Sequence, residues 1–158
     1  MKSDKHLTES ALLDKARRYC AMAEQCESGV RQKLVTWGAG ADEADAIVNR
    51  LRSEDYIDDA RYARMYCESK MLQQGWGRQK VLYQLRLKHL PKEAIDSGMA
   101  VVDNERYMEM LAEVASKKLR DLGGDVTMEH QRKLMSFLGS RGFTIGEINQ
   151  VITNIQEL

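Results

Sequence analysis

Residues 30–51 read VRQKLVTWGAGADEADAIVNRL. Val30 and Leu34 before the glycine turn at Gly38, and Ala44, Val48 and Leu51 after it, fall at the spacing of one helical face on each side. The pattern returns twice. Adding 51 to each number gives Val81, Leu85, His89, Ile95, Met99 and Val102; adding a further 53 gives Leu134, Leu138, Gly142, Ile148, Ile152 and Ile155. Outside the turn column every position is aliphatic, Ala or Met. A column that keeps its apolar character through three copies marks a buried face, so the stretch predicts two helices joined by a turn, used three times.

Working outward, a longer helix precedes each copy. Leu12, Leu13, Ala16, Cys20 and Ala23 lie on one helical face, as do Tyr62, Ala63, Tyr66 and Cys67, and then Tyr107, Leu111, Val114, Ala115, Leu119 and Leu122. Ala16-Arg17-Arg18-Tyr19-Cys20 is echoed 47 residues later by Ala63-Arg64-Met65-Tyr66-Cys67, and Arg61-Tyr62 by Arg106-Tyr107. No segment alternates with period two. The expected fold is all-α: three tandem three-helix repeats of helix-turn-helix-like triplets in one elongated, slightly curved domain. The boundaries fall at about 11–57, 58–102 and 103–158.

Composition narrows the function classes. The 158 residues suit one domain with a modest core. No apolar run approaches a membrane span, and MKSDKHLTES lacks the apolar stretch and cleavage site of an export signal, so a cytoplasmic protein is expected. Cys20, Cys26 and Cys67 show neither CxxC spacing nor a companion His, and read as reduced, buried thiols rather than zinc ligands. His6, His89 and His130 stand far apart with no recognisable nucleophile, and GxxxxGK[ST] is absent. The expectation is a protein that binds, without enzyme activity, metal or cofactor.

The segment EDYIDDARYARMYCESK, residues 54–70, gathers four carboxylates at its start. No DxDxDG-like calcium loop is present, and Asp58 stands just before the run Tyr62, Ala63 and Tyr66. Asp58 is therefore expected to cap a helix, with Asp59 adding charge favourable to the helix dipole. Further on, Pro91 followed by Glu93 suits a helix start, and Thr144-Ile-Gly-Glu147 is a capping box.

The net charge of zero hides a basic centre. Residues 1–59 carry 9 Lys+Arg against 12 Asp+Glu, residues 60–92 carry 8 against 1, and residues 93–158 carry 7 against 11. That asymmetry suggests a polyanionic partner. The candidate contact residues are Arg61, Arg64, Lys70, Trp76, Arg78, Lys80, Arg86, Lys88 and Lys92. Lys80, Gln84 and Lys88 form one polar stripe away from Val81, Leu82 and Leu85, which leaves the lysines free. Gly75-Trp76-Gly77-Arg78 opens a helix whose N–H groups are able to hold a phosphate or carboxylate. Trp76 reads two ways, as a stacking or docking side chain or as packing within its own repeat.

The segments DYIDDARYA (55–63) and GWGRQKVLYQLRLKHL (75–90), with the repeat, resemble the signature of the bacterial RecX family from about Leu12 to Ile155. Three departures stand out. Cys26 and Gly29 occupy the places of a Ser and Glu capping box, Asp55 stands where the signature has Gly, and His89 replaces a turn glycine. The resemblance implies a regulator that binds the RecA recombinase filament and inhibits its ATPase, strand exchange and recombination, modulating DNA repair and the SOS response. It also implies a monomer with possible contact to single- or double-stranded DNA. The other reading is a stand-alone helix-turn-helix-like DNA-binding protein, which the acidic outer repeats disfavour.

Overall fold

The structure, a computed structural model, describes residues 7–157, so His6 and the first residues of the N-terminus lie outside it. Every regular element among the described residues is helical. The first triplet is α1 (Glu9–Met22), α2 (Glu27–Thr36) and α3 (Ala41–Ser53); the second is α4 (Asp59–Glu68), α5 (Arg78–Leu87) and α6 (Lys92–Met99). The third is α7 (Asn104–Asp121), α8 (Met128–Ser140) and α9 (Ile145–Gln156). A π-helical turn, Ser69–Gln73, extends α4 toward the connection to α5.

The repeat columns form the interior. Val30, Leu34, Ala44, Val48 and Leu51 are buried, as are Val81, Leu85, Ile95 and Val102, and Leu134, Leu138, Ile148 and Ile152; Met99 and Ile155 are half-buried. The turn column adopts the left-handed conformation in all three copies, with φ of 96° at Gly38, 57° at His89 and 100° at Gly142. Glycine meets that demand without steric cost, whereas His89 holds it as a strained side-chain-bearing residue, as does Asp55 at φ 64°. Both departures from the family pattern thus keep the backbone that glycine would give. One expectation fails at the edge of α1: the helix ends at Met22, leaving Ala23 exposed and extended rather than on the buried face. Pro91 precedes the helix proper, as the N-cap of α6.

The interior is divided. One cluster joins residues of the second and third triplets around Leu85, Leu111 and Leu138, with Cys26 the one member contributed by the first triplet. The first triplet otherwise closes on its own cluster around Leu12, Leu34, Ile47 and Leu51. Polar contacts supplement the junction between the two, among them Arg61 Nε to Glu24 Oε1 at 2.5 Å and the Ser28 hydroxyl to the Lys88 carbonyl at 2.5 Å.

Helix ends follow a rule that runs along the chain. The first helix of each triplet caps itself: the side chains of Thr8, Asp58 and Asp103 accept from the N–H groups of Ala11, Arg61 and Arg106. The second helices of the first two triplets have no side-chain cap of their own, at Cys26 and Gly77. Their N–H groups are satisfied by the following triplet. Glu27 N–H donates to Asp59 Oδ1 at 2.9 Å; Gly77 and Gln79 N–H donate to the carbonyls of Arg141 and Gly142, and Arg78 N–H to the Tyr107 hydroxyl at 3.0 Å. The second helix of the third triplet, α8, uses its own Thr127. Thr144 and Glu147 form the full capping box on α9.

Asp58 therefore caps, with Arg61 N–H at 3.0 Å. Replacing it tests that role. Asp58→Asn is expected to be nearly silent in thermal melting, because Asn caps equally well, whereas Asp58→Ala is expected to cost about 0.5–2 kcal/mol. Equal melting of both variants and the parent protein would remove the cap from the account.

Candidate functional site

The basic centre divides into residues tied up at junctions and residues that line an edge. Arg61 belongs to the first group: it pairs with Glu24 and, at 3.3 Å, with Asp55, and is half-buried. Arg78 does too. Its guanidinium lies 3.8 Å from the Tyr107 ring centroid, 3.6 Å from Glu147 and within hydrogen-bond reach of Asn104. Burial pushes the Tyr107 hydroxyl up to about 12, so it stays protonated while it receives the Arg78 N–H and faces Glu147 Oε1 at 3.4 Å. The expected anion pocket at the start of α5 is not open, because Arg141, Gly142 and Tyr107 already take its N–H groups. An anion there would have to displace the third triplet.

The edge is built from α4, the π turn and α5. Tyr66 sits on α4 with Tyr62 stacked on it at 5.8 Å between centroids. The Lys70 ammonium lies 5.5 Å from the Tyr66 ring and 4.7 Å from Trp76. Lys80 lies 4.2 Å from the Trp76 ring and Lys88 5.8 Å from Tyr66. Contrary to the sequence reading, the Lys80–Gln84–Lys88 stripe is half-buried and leans on aromatic faces rather than standing free. Trp76 combines its two readings. It is half-buried and packed on the interior, and its exposed part sits among lysines. The π turn places these groups together, since the Trp76 N–H closes on the Lys70 carbonyl at 2.9 Å.

The remaining candidates lie around this edge. Arg64 is exposed and reaches Ser97 Oγ at 3.1 Å, and Lys92 is exposed and 3.7 Å from Asp96. Arg86 is exposed and has no ion pair among the described residues. From Ser69 to Lys92 the sequence carries no carboxylate side chain, so nothing on that segment neutralises the edge locally.

Aromatic groups that the sequence reading passed over recur in the other triplets. Tyr19 meets Trp37 edge-on at 5.8 Å, with Lys15 4.5 Å over Trp37 and Lys33 5.7 Å over Tyr19. In the third triplet Lys118 and Arg141 lie 4.8 and 4.9 Å from Phe137. Arg141 also donates to the Gln74 carbonyl at 2.8 Å, which carries the second triplet's edge into the third. A cleft of about 440 Å³ opens there, lined in part by Gln73, Gln74, Lys117, Lys118, Phe137 and Arg141. The signal was present in the spacing of one pair, Tyr66 four residues before Lys70, while Lys15 and Lys33 reach rings more than a turn away in sequence.

The three cysteines are buried and unpaired, and burial raises the Cys67 thiol to about 11, far from a reactive thiolate. No group of three or more His, Cys, Asp or Glu gathers to hold a metal among the described residues, and no helix there is long and apolar enough to cross a membrane. His130 sits in the first turn of α8 with its Nδ1 2.7 Å from the Asp125 carbonyl.

Comparison with known proteins gives this arrangement a lineage. A regulatory protein RecX of Clostridium acetobutylicum is 33% identical over 115 residues, covering 70% of this chain and 53% of that protein, so the chain spans about half its length. A regulatory protein RecX of Cronobacter sakazakii is 29% identical and covers 93% of both chains. The crystal structure of RecX from Lactobacillus salivarius superposes with a TM-score of 0.84 at 21% identity, covering 95% of this chain and 97% of that one, which shows the shared fold. Residues 58–99 match the second three-helix domain of RecX and residues 104–152 the third. These two matches follow one another over α4–α6 and α7–α9, as the helices themselves do, and the chain belongs to the RecX family.

Proposed function

We propose that the chain is a cytoplasmic regulator that binds the RecA recombinase filament as a monomer and restrains its ATPase and strand exchange, and so recombination, DNA repair and the SOS response. It acts by binding, without catalysis of its own. The observation that carries this reading is the lysine and aromatic edge of the second triplet, set in a segment without carboxylates and present in a chain of the RecX family. Cations over aromatic rings suit phosphates, bases and acidic protein surface alike, so contact with DNA inside the filament accompanies contact with the recombinase. A stand-alone DNA-binding role is disfavoured because the outer segments, residues 1–59 and 93–158, carry net charges of −3 and −4.

The test is a light-scattering titration against RecA assembled on single-stranded DNA, with naked DNA as comparison, together with RecA ATPase. Wild type is expected to bind the filament far better than naked DNA and to inhibit ATPase, with binding weakened by salt. Lys80→Glu with Lys88→Glu preserves helix propensity and is expected to abolish most inhibition; Lys117→Glu with Lys118→Glu is expected to matter less. Full inhibition by the first variant would move the surface elsewhere. Equal loss in the second would reduce the effect to net charge.

A further inference from the structure

Tyr83 and Leu87 stand one turn apart on the solvent side of α5, 60% and 55% exposed. The repeat supplies its own control. The matching positions are Gln32 and Thr36 in the first triplet and Ser136 and Ser140 in the third, all exposed and polar. Two copies of the helix are therefore polar at both positions, although α2 exposes Val35 beside them, at the position that Arg86 holds in α5. The middle copy alone replaces two polar residues with large apolar ones, exposing surface that hydration disfavours and that nothing in the fold requires.

The surroundings of the pair give the partner's chemistry. Lys80 flanks it on one side of the helix and Arg86 on the other, and α5 carries no carboxylate. Tyrosine and arginine around an apolar centre are the composition of protein-interface anchors. A nucleic-acid strand fits less well, because Leu87 has no ring on which a base stacks, and the stacking groups Tyr66 and Trp76 face the neighbouring edge. A second copy docking the same face would set Lys80 and Arg86 against like charges.

We infer that the outward face of α5 is a protein-docking surface that seats Tyr83 and Leu87 in an apolar recess of an acidic protein surface, which, resting on the reading above, belongs to the assembled recombinase. The second triplet thereby presents two adjoining surfaces: the lysine and aromatic edge for phosphates and bases, and the α5 face for protein.

The experiment titrates the intact chain against RecA assembled on labelled poly(dT) and, separately, against naked labelled poly(dT). Two variants are compared, neither of which changes a charge: Tyr83→Ser with Leu87→Thr, and Leu87→Gln alone. Each is expected to weaken filament binding at least about tenfold and to leave naked poly(dT) binding within about twofold. Melting is expected to stay near wild type because the changed residues are exposed; if the double variant melts lower, Leu87→Gln decides. Wild-type binding to the filament with both variants unchanged overturns the docking face and leaves the proposed function standing. Loss on both probes makes the face a nucleic-acid contact and overturns the protein occupant. Failure of wild type to bind the filament removes the proposed function and this occupant with it. A wild-type dimer in sedimentation that the variants abolish assigns the face to a second copy instead.

Discussion

Gly77→Ala is expected to destabilise the protein by on the order of 3 kcal/mol, a fall of about 6–12 °C in Tm for a chain of this size. The backbone angle is not the reason, since Gly77 has an extended conformation that any residue adopts. The reason is approach. A Cβ on Gly77 would overlap the Gly142 carbonyl and lie 2.5 Å from the Phe143 nitrogen, and a Cβ on Gly142 would lie 2.5 Å from that of Lys80. Two backbones touch here with no side chain able to yield. Accommodating a methyl group means parting the second and third triplets, which opens the bonds from Gly77 and Gln79 to the carbonyls of Arg141 and Gly142. Gly139→Ala is the internal comparison: it lies inside α8 with open space around it, and is expected to stabilise by roughly 0.5–1 kcal/mol. Circular dichroism melts of both proteins would settle the sign, and an unchanged Gly77→Ala melt would show that the junction yields easily.

Leu85→Ala is expected to cost about 2–5 kcal/mol, and to cost it over two triplets at once. Leu85 is fully buried in the cluster shared by the second and third triplets. Leu34, its counterpart one repeat earlier, is equally buried but belongs to the separate cluster of the first triplet. Leu34→Ala is therefore expected to accelerate hydrogen exchange in α1–α3 while α4–α9 keep their protection. Leu85→Ala is expected to accelerate exchange across α4–α9. Uniform acceleration in both variants would show a single cooperative unit instead of two.

Why some of this was legible in the sequence and some was not follows from distance along the chain. The columns of Val30, Val81 and Leu134 were readable because helix period and repetition are local properties. Asp58 was readable because a cap and its N–H are three residues apart. Asp59, read as charge favourable to the dipole of its own helix, closes the end of α2 from 32 residues away, and no local pattern announces that. The same holds for Arg61, a candidate contact residue by sequence, whose partner Glu24 lies 37 residues upstream. Arg78 and the glycine-flanked turn before α5 look like an open anion site in sequence because their partners, Tyr107, Arg141 and Glu147, arrive with the third triplet. The lysines of α5 were correctly placed on a polar stripe, yet their aromatic neighbours depend on the π turn, which carries no sequence signature. Site residues were thus least legible where one repeat completes another.

That borrowing of helix ends sets an order of events during synthesis. As the chain leaves the ribosome, α2 emerges with the Glu27 N–H open, and it stays open until Asp59 follows. The end of α5 waits longer, for Tyr107 and then for Arg141 and Gly142. Among the second helices, α8 alone carries its own closing residue, Thr127, and needs to wait for nothing. Each repeat is thus finished by its successor, and completion moves along the nascent chain one repeat behind elongation. The same dependence gives the repeats a grammar: a middle unit cut out and spliced elsewhere would carry an unclosed helix end with it, so these triplets are not interchangeable bricks even though their interiors match column for column.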